Sequence, residues 1–227
     1  GQAGSGKTSL AEALLARAGA IPAAGNVERG STVCDYTALE KSFRHSLKLA
    51  VASFEAQEHR IHLLDTPGYP DFLGHALPAL AAVETAAIVI NAQNGIEMMT
   101  GRFMQWAAKR GLDRLVIVNR IDAENVDLPA LLEKIQQAFG KECLPLNLPA
   151  AKASKVSDCF FAPSGEADFS SVAEAHKKLV EQVVEVDEKL MEVYLEKGEV
   201  APEALHEPLE RAMREGHLIP VVFTSAK

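Results

Sequence analysis

The chain begins with GQAGSGKTSL, residues 1–10. It matches G-x-x-x-x-G-K-[ST], a loop whose glycines let successive backbone N–H groups point at phosphate oxygens, with the dipole of the following helix added. In such a loop Lys7 reaches the β- and γ-phosphates, and the Thr8 hydroxyl binds Mg²⁺. Four further residues are candidates for nucleotide contacts: Gly4, Ser5, Gly6 and Ser9. The loop predicts a nucleotide-binding protein and leaves the base open.

Short aliphatic runs alternate with helical patterns along the chain. Helices are predicted at 7–18, at 100–111 with Thr100 as the cap, and at 128–138. Buried parallel strands are predicted at 61–65, 86–92, 114–119 and 219–223, with an edge strand at 47–54. This alternation predicts an α/β fold of the P-loop NTPase type, a mostly parallel sheet with helices on both faces. Because a phosphate loop normally follows a strand, a first strand is expected upstream of Gly1.

A long interval separates VNRID (118–122) from TSAK (224–227), where a compact α/β unit needs only one helix and one strand. The interval contains helical patterns at 171–197 and 202–215. Residues 141–217 are therefore predicted to form an inserted α+β subdomain. It would ride on a nucleotide-binding domain built from residues 1–140 and 218–227.

The composition fits a globular chain with one sizeable core, since 48% of the 227 residues are hydrophobic. No apolar run approaches the roughly 20 residues that span a bilayer, so no membrane association is expected. Cys34, Cys143 and Cys159 lie far apart, which favours reduced core thiols in a cytoplasmic protein over a disulfide frame or a zinc site. We expect a monomer.

The acidic charge is concentrated in one segment. Residues 166–215 contain 14 acidic and 6 basic residues, which accounts for the whole formal net charge of −8. This argues against broad contact with nucleic acid through that segment, and no DNA partner is expected. Four acidic side chains fall on one stripe of the predicted helix, as a partner surface or as a merely solvated face: Glu181, Glu185, Glu188 and Glu192.

A second motif lies in IHLLDTPGYPDF, residues 61–72. Asp65 ends the predicted strand, where a carboxylate beside a phosphate loop can hold the Mg²⁺ shell. Gly68 can donate its N–H to a γ-phosphate and swing when that phosphate leaves. After a phosphate loop, this function is favoured over an ordinary D-T-P-G turn.

The base is indicated by VNRID and by SAK, residues 225–227. The Asp122 carboxylate can accept hydrogen bonds from N1–H and the exocyclic amine of guanine, two donors that adenine lacks. Asn119 stands three residues earlier, in an N-x-x-D arrangement after a buried strand. In SAK a backbone N–H would read the guanine O6, and the Lys227 stem would pack on the base, which adds Ser225 and Ala226 to the candidates. The order of these motifs predicts GTP or GDP as the nucleotide.

The polar, irregular stretch from 26 to 46 is suited to a mobile switch that completes the Mg²⁺ site. Four hydroxyl residues are candidates for the second contact with the cation, and spacing alone does not separate them: Thr32, Thr37, Ser42 and Ser46.

With these motifs in place, the whole chain resembles the GTPase domain of elongation factor G, more closely a divergent elongation-factor-G-like paralogue. The resemblance implies that Ser46, in RHSL, stands where the family has its Mg²⁺-binding Thr. It implies a helix at 72–84 after DTPGYPDF, and it identifies the insertion as similar to the family's G′ subdomain. It also implies a ribosome-linked GTP cycle, with rRNA and the ribosomal stalk protein as partners.

Three departures from the family pattern bear on activity. NRID replaces N-K-x-D, so that Arg120 must cover the base in place of Lys. Gly4 stands where the family has Asp. Tyr69 replaces the His that positions the attacking water, and a neutral Tyr cannot reproduce the two-ended geometry of an imidazole.

The leading hypothesis is therefore a translational GTPase, with Lys7, Gly68 and Tyr69 as catalytic candidates and a low intrinsic rate. The alternative is a GTP-dependent ribosome-binding switch with weak or no hydrolysis, because Tyr69 replaces the family His. A P-loop ATPase or nucleotide kinase has the phosphate loop in its favour, but Asn119, Asp122 and Ser225 count against it.

Overall fold

The computed structural model describes residues 1–226, so Lys227, one of the predicted base contacts, lies outside the described residues. The helices are α1 Lys7–Arg17, α2 Ala38–Phe43, α3 Leu73–Ala76, α4 Met98–Lys109, α5 Leu128–Phe139, α6 Val172–Val184, α7 Glu188–Lys197 and α8 His206–Glu215. The strands are β1 Ala50–Ala56, β2 His59–Asp65, β3 Thr85–Asn91, β4 Asp113–Asn119, β5 Cys143–Pro145, β6 Asn147–Ala150, β7 Lys155–Asp158 and β8 Ile219–Phe223. Short 3-10 helices lie at Pro70–Phe72, Pro78–Ala81 and Pro202–Leu205.

The central sheet has four parallel strands in the order β3-β4-β8-β5. Its strands are buried aliphatic runs, as parallel strands covered by helices require. The main core joins them to α4 and α5, through residues such as Ile90, Phe103 and Ile135. The predicted α/β fold with a mostly parallel sheet is confirmed.

The strand at 61–65 was predicted to be buried and parallel, and this is wrong. It forms the end of β2, which pairs antiparallel with β1, and Ile61 is 39% exposed. The two strands are joined through Gln57 and Glu58, whose φ angles are both positive, at 47° and 67°. Such a two-residue turn matches the twist of an antiparallel hairpin. The usual Asn-Gly signal is absent from the turn, so the sequence did not indicate it.

Two predicted helices are broken in the structure. The one at 72–84 becomes α3 between two 3-10 helices, because Pro78 lacks the N–H that a continuing helix needs. The one at 171–197 divides into α6 and α7, and the Asp187 carboxylate caps α7 by accepting from Lys189 N and Leu190 N. The predicted cap Thr100 is instead buried inside α4, which begins at Met98.

The break at Asp187 also corrects the prediction of a single acidic stripe. The four side chains are exposed, but they lie on two helices rather than on one. Those on or at the end of α6 are Glu181 and Glu185, and those on α7 are Glu188 and Glu192.

The predicted insertion has a core of its own. Residues of β6, α6 and α8, including Leu148, Leu179 and Leu209, pack together with the adjoining ends of the main sheet. The β6–β7 hairpin was not predicted, and β5, placed in the insertion by the sequence, pairs with β8 in the central sheet. The division at 141 and 217 stays a prediction.

The three cysteines are free and buried, as predicted for core thiols. Burial raises the pKa of Cys34 and Cys143 to about 12 and that of Cys159 to about 11. Within residues 1–226, no helix has the length and apolar character needed to cross a membrane.

Candidate functional site

The phosphate loop wraps over the start of α1. Gly4 and Gly6 have positive φ angles, 76° and 87°, which favour glycine, and Gly6 is the N-cap of α1 without any side-chain cap. The first N–H groups of the helix are therefore left for an anion. Lys7 Nζ donates to the carbonyl oxygens of Gly1 and Gln2 at 3.1 and 3.0 Å, and burial lowers its pKa. The loop thus places the Lys7 ammonium group beside the first backbone N–H groups of α1, which can donate to an anion.

The D-T-P-G turn after β2 packs directly against this loop. A Cβ added to Gly68 would lie 2.5 Å from Lys7 Nζ, 2.6 Å from Ala3 N and 2.7 Å from the carbonyl carbon of Gln2. Glycine is therefore required at this position for the turn to approach the loop so closely. The structure thus brings together Gly68 and Lys7, two of the predicted catalytic residues.

Hydroxyl and carboxylate groups meet at the other side of the loop. Thr8 Oγ1 donates to Asp65 Oδ2 at 2.7 Å and lies 3.1 Å from Ser46 Oγ, which donates to Asp35 Oδ1 at 2.8 Å. Burial raises the pKa of Asp65 to about 6, against the opposing effect of its hydrogen bond from Thr8. The structure therefore brings together the three predicted metal ligands, Thr8, Ser46 and Asp65.

The structure also separates the four hydroxyl candidates of the switch. Ser46 faces Thr8, whereas Thr32 donates to Asp35 at 3.1 Å and Thr37 caps α2. Ser42 is exposed on α2. Asp35, buried with 2% of its surface exposed, is a member of the cluster that sequence reasoning missed.

The chemistry of this cluster fits Mg²⁺. Among residues 1–226, no three His, Cys, Asp or Glu side chains are grouped as a metal site. The cluster offers two hydroxyls, from Thr8 and Ser46, and two carboxylates, from Asp35 and Asp65, beside a phosphate loop. Mg²⁺ is bound in this way, since it keeps several waters and shares its remaining positions between a few protein oxygens and phosphates.

The base-reading motifs are held together by Asn119. Its Nδ2 donates to the carbonyl of Ser5 in the phosphate loop at 3.0 Å, and its Oδ1 accepts from Arg120 N at 2.9 Å and Ala226 N at 3.2 Å. Ser5 is itself buried. One buried amide therefore ties together three segments that are distant in sequence.

Two adjoining cavities follow from this arrangement. A groove of about 310 Å³ runs along the phosphate loop, and its lining includes Thr8, Ser46 and Tyr69. A second cavity of about 350 Å³ is lined by residues of the base-reading segments and by Gln93, which the sequence did not indicate. Three residues belong to both: Gly6, Ser9 and Arg120. The remaining predicted base contacts within the described part line the second cavity: Asp122, Ser225 and Ala226.

Two buried glutamates fix the switch segment, and both were missed. Glu12, on α1, accepts from the backbone N–H groups of Gly25, Val33 and Cys34 at 2.9, 2.7 and 3.1 Å. Glu40, on α2, holds the other end of the segment, through Leu47 N and Lys48 N at 3.0 and 3.1 Å. The T-A-L-E sequence at 37–40, a capping box, was the signal that could have identified Glu40.

We expect Glu40→Gln to lower the free energy of unfolding by about 1–3 kcal/mol at pH 7, since an amide cannot replace every acceptor. Burial alone would raise the pKa of Glu40, but hydrogen bonds from Thr37, Leu47 and Lys48 lower it below its usual range. A depressed pKa means that this stabilisation is present above the unfolded value, roughly 4.3, and is lost as the pH falls through the folded value. The loss of unfolding free energy in Glu40→Gln should therefore be smaller below pH 4.

Chemical denaturation of both proteins at pH 7 and below pH 4 measures this effect. Glu58→Gln, at the exposed turn between β1 and β2, is the matched control. Equal losses for the two variants at pH 7 would show that Glu40 has no special role.

Comparisons with known proteins agree with this geometry. Residues 1–227 match the model of the elongation factor Tu GTP binding domain. An elongation factor G-like protein of Mycobacterium tuberculosis is 34% identical over 98% of this chain and 33% of its own length. Peptide chain release factor 3 of Enterococcus faecalis is 30% identical over 97% of this chain and 45% of its own length.

A crystal structure of a protein from Thermus thermophilus has a TM-score of 0.88 at 37% identity, over 99% of this chain and 36% of that one. The chain thus spans a third to somewhat under a half of the length of these relatives. It belongs to the family of the elongation factor Tu GTP-binding domain, and within it to the translational GTPase domains that are like elongation factor G.

Proposed function

We propose that this chain binds GTP with Mg²⁺ and hydrolyses the GTP in a ribosome-linked cycle of the elongation-factor-G type. The observation that supports this most is the set of bonds made by Asn119. They join the phosphate loop, VNRID and Ala226, and residues of these segments line two adjoining cavities. A nucleotide can then be gripped at both ends, with its phosphates along the loop and its base in the second cavity.

At the phosphate end, Lys7 and the open N–H groups of the loop would neutralise the β- and γ-phosphates. Gly4 and Gly6 allow the close backbone approach, and Gly68 would offer its N–H to the γ-phosphate. Thr8, Ser46 and the water shell beside Asp65 would hold Mg²⁺, which supplies charge neutralisation when bound. The close packing of Gly68 on Lys7 supports this assignment.

At the base end, Asp122 would accept from the two guanine donors, while Arg120 and the stem of Lys227 would cover the faces of the ring. Ser225 and Ala226 would present the backbone N–H that reads O6. The shared lining of the two cavities by Arg120 supports this role, because Arg120 can reach both the base and the sugar. GTP and GDP are therefore the proposed ligands.

The ribosome is the proposed partner. The matched relatives include proteins described as a ribosome-releasing factor, a peptide chain release factor and tetracycline resistance proteins. For this chain, contact with rRNA and with the ribosomal stalk protein is a proposal by family. The acidic helices α6 and α7 favour a protein contact rather than RNA on the side of the insertion.

A second candidate function is a GTP-dependent switch that binds ribosomes and hydrolyses GTP slowly or not at all. Tyr69 favours it, because the side chain at the family's histidine position is a neutral phenol, 42% exposed at the rim of the groove. Such a protein would still change state with nucleotide occupancy. The two candidates would bind the nucleotide in the same way and differ in the rate of GTP turnover.

Steady-state turnover of GTP with and without ribosomes tests the proposal. We expect slow release of phosphate by the protein alone and faster release with ribosomes, with GTP used in preference to ATP. Tight GTP binding without ribosome-stimulated turnover would favour the switch. Equal use of ATP and GTP would contradict the proposed function altogether.

A further inference from the structure

A histidine lies at the position where the groove meets Tyr69. His45 precedes Ser46 in the switch, and its ring centroid is 4.6 Å from that of Tyr69. Both rings line the groove that the phosphate loop forms with Gly68. Sequence reasoning assigned no role to His45, because it lies far from Tyr69 along the chain. The fold therefore places an imidazole beside Tyr69, the residue that stands where the family has its histidine.

The position of this imidazole is fixed by the surrounding backbone and rings. Arg44, the residue at the end of α2, has a φ of 58°, which turns the chain so that His45 faces inward. Phe43 stacks on the imidazole with centroids 5.9 Å apart, and Phe72 lies at 6.1 Å on a tilted plane. Three aromatic rings thus hold His45 over the groove while Ser46 faces Thr8.

The hydrogen bonding of the ring leaves one nitrogen for a ligand. His45 Nδ1 lies 3.4 Å from the carbonyl oxygen of Ser46. Since a carbonyl can only accept, this contact favours the tautomer with the proton on Nδ1 and the lone pair on Nε2. No hydrogen bond to His45 Nε2 is found among residues 1–226. This nitrogen can accept a proton of a water molecule in the groove.

We propose that His45, rather than the Tyr69 hydroxyl, orients the water that attacks the γ-phosphate, and that the ring of Tyr69 positions His45. This inference rests on the proposed GTP hydrolysis and adds the residue that replaces the family's histidine. Tyr69 would then act through the packing of its ring, which a phenylalanine can supply. The role needs only an accepted hydrogen bond, the role that a glutamine fulfils in other GTPases.

The reaction balances without further groups. The water oxygen bonds to the γ-phosphorus as the bond from that phosphorus to the β–γ bridging oxygen breaks. The electron pair of the broken bond stays on GDP. One proton of the water passes to another oxygen of the transferred γ-phosphate. The other proton remains on the oxygen that came from the water. His45 holds the water in line and takes no net proton.

Single-turnover hydrolysis by the full protein, with and without ribosomes, tests the inference. His45→Ala should lower the hydrolysis rate at least about tenfold, or about 1.4 kcal/mol of barrier, with GTP affinity unchanged. His45→Gln should retain more of the rate than His45→Ala, and Tyr69→Phe should retain more of it than Tyr69→Ala, because phenylalanine keeps the ring that packs on His45. Adding Tyr69→His to His45→Ala should restore the rate, because it returns an imidazole to the same place. His75→Ala, an exposed histidine of α3, is the control.

The outcomes separate the inference from the function on which it rests. If wild type hydrolyses GTP and His45→Ala hydrolyses it equally fast, the role of His45 is wrong while the GTPase stands. A large loss in Tyr69→Phe with none in His45→Ala would assign the water to the Tyr69 hydroxyl instead. If wild type does not hydrolyse GTP even with ribosomes, the proposed hydrolysis and the inference both fail.

Discussion

Asp122→Asn should lower the preference for GTP over XTP by about 10⁴-fold, the scale on which a site built for specific hydrogen bonds rejects an unmatched ligand. The carboxylate of Asp122 would accept from both N1–H and the exocyclic amine of guanine, whereas the amide of Asn can accept from N1–H only while its own N–H groups oppose the exocyclic amine. Xanthine carries a carbonyl where guanine carries the amine, and it can accept from that amide. The second cavity, where Asp122 lies beside Arg120 and Ser225, is the space in which this exchange takes place.

Titration of GTP and XTP against both proteins measures the change in preference. The matched control is Asp113→Asn, at the start of β4, the strand that ends three residues before Asp122, and it should leave both affinities unaltered. Retention of the full preference for GTP in Asp122→Asn would contradict the assignment of VNRID as the base reader.

Gly68→Ala should lower GTP hydrolysis by about 10²-fold, the cost expected when reacting groups are displaced by about 1 Å. The new methyl group would meet Lys7 Nζ at 2.5 Å and the backbone of Ala3 and Gln2 at 2.6 and 2.7 Å. Because two of these contacts are backbone atoms, the D-T-P-G turn must move away from the loop. GDP affinity should change much less, since GDP lacks the γ-phosphate to which Gly68 would donate.

Gly74→Ala is the control for this substitution, since a Cβ there would meet nothing within 4 Å. It lies inside α3, where alanine favours the helix, so it should fold and hydrolyse GTP as wild type does. Pre-steady-state hydrolysis and GDP titration of both variants provide the comparison. Normal hydrolysis by Gly68→Ala would show that the turn can retreat from the loop without consequence.

The parts of the site that sequence could predict are those in which one short segment determines both conformation and chemistry. GQAGSGKT predicts a phosphate loop followed directly by a helix, and α1 begins at Lys7. The same holds for VNRID, which places Asn119 at the end of a buried strand.

The parts that sequence did not predict depend on contacts between distant residues or on weak local signals. The positions of Asp35 and His45 depend on the folding of the switch segment over the phosphate loop. Glu12 and Glu40 hold that switch segment in place. The β1–β2 turn lacks glycine, and β5 is too short, at three residues, to show a periodicity. The break before α7 is signalled by the capping residue Asp187. The apolar pattern continues on either side of Asp187 and obscured this signal.

The two cavities that share Gly6 and Arg120 are proposed to form one site for a guanine nucleotide. Displacement of a fluorescent GDP analogue from the protein, in the presence of Mg²⁺, tests this proposal most directly. The predicted result is that GTP and GDP displace the analogue while ATP is weaker by at least about 10³-fold, as expected for a carboxylate paired with guanine's two donors. Displacement by ATP as readily as by GTP would contradict the account.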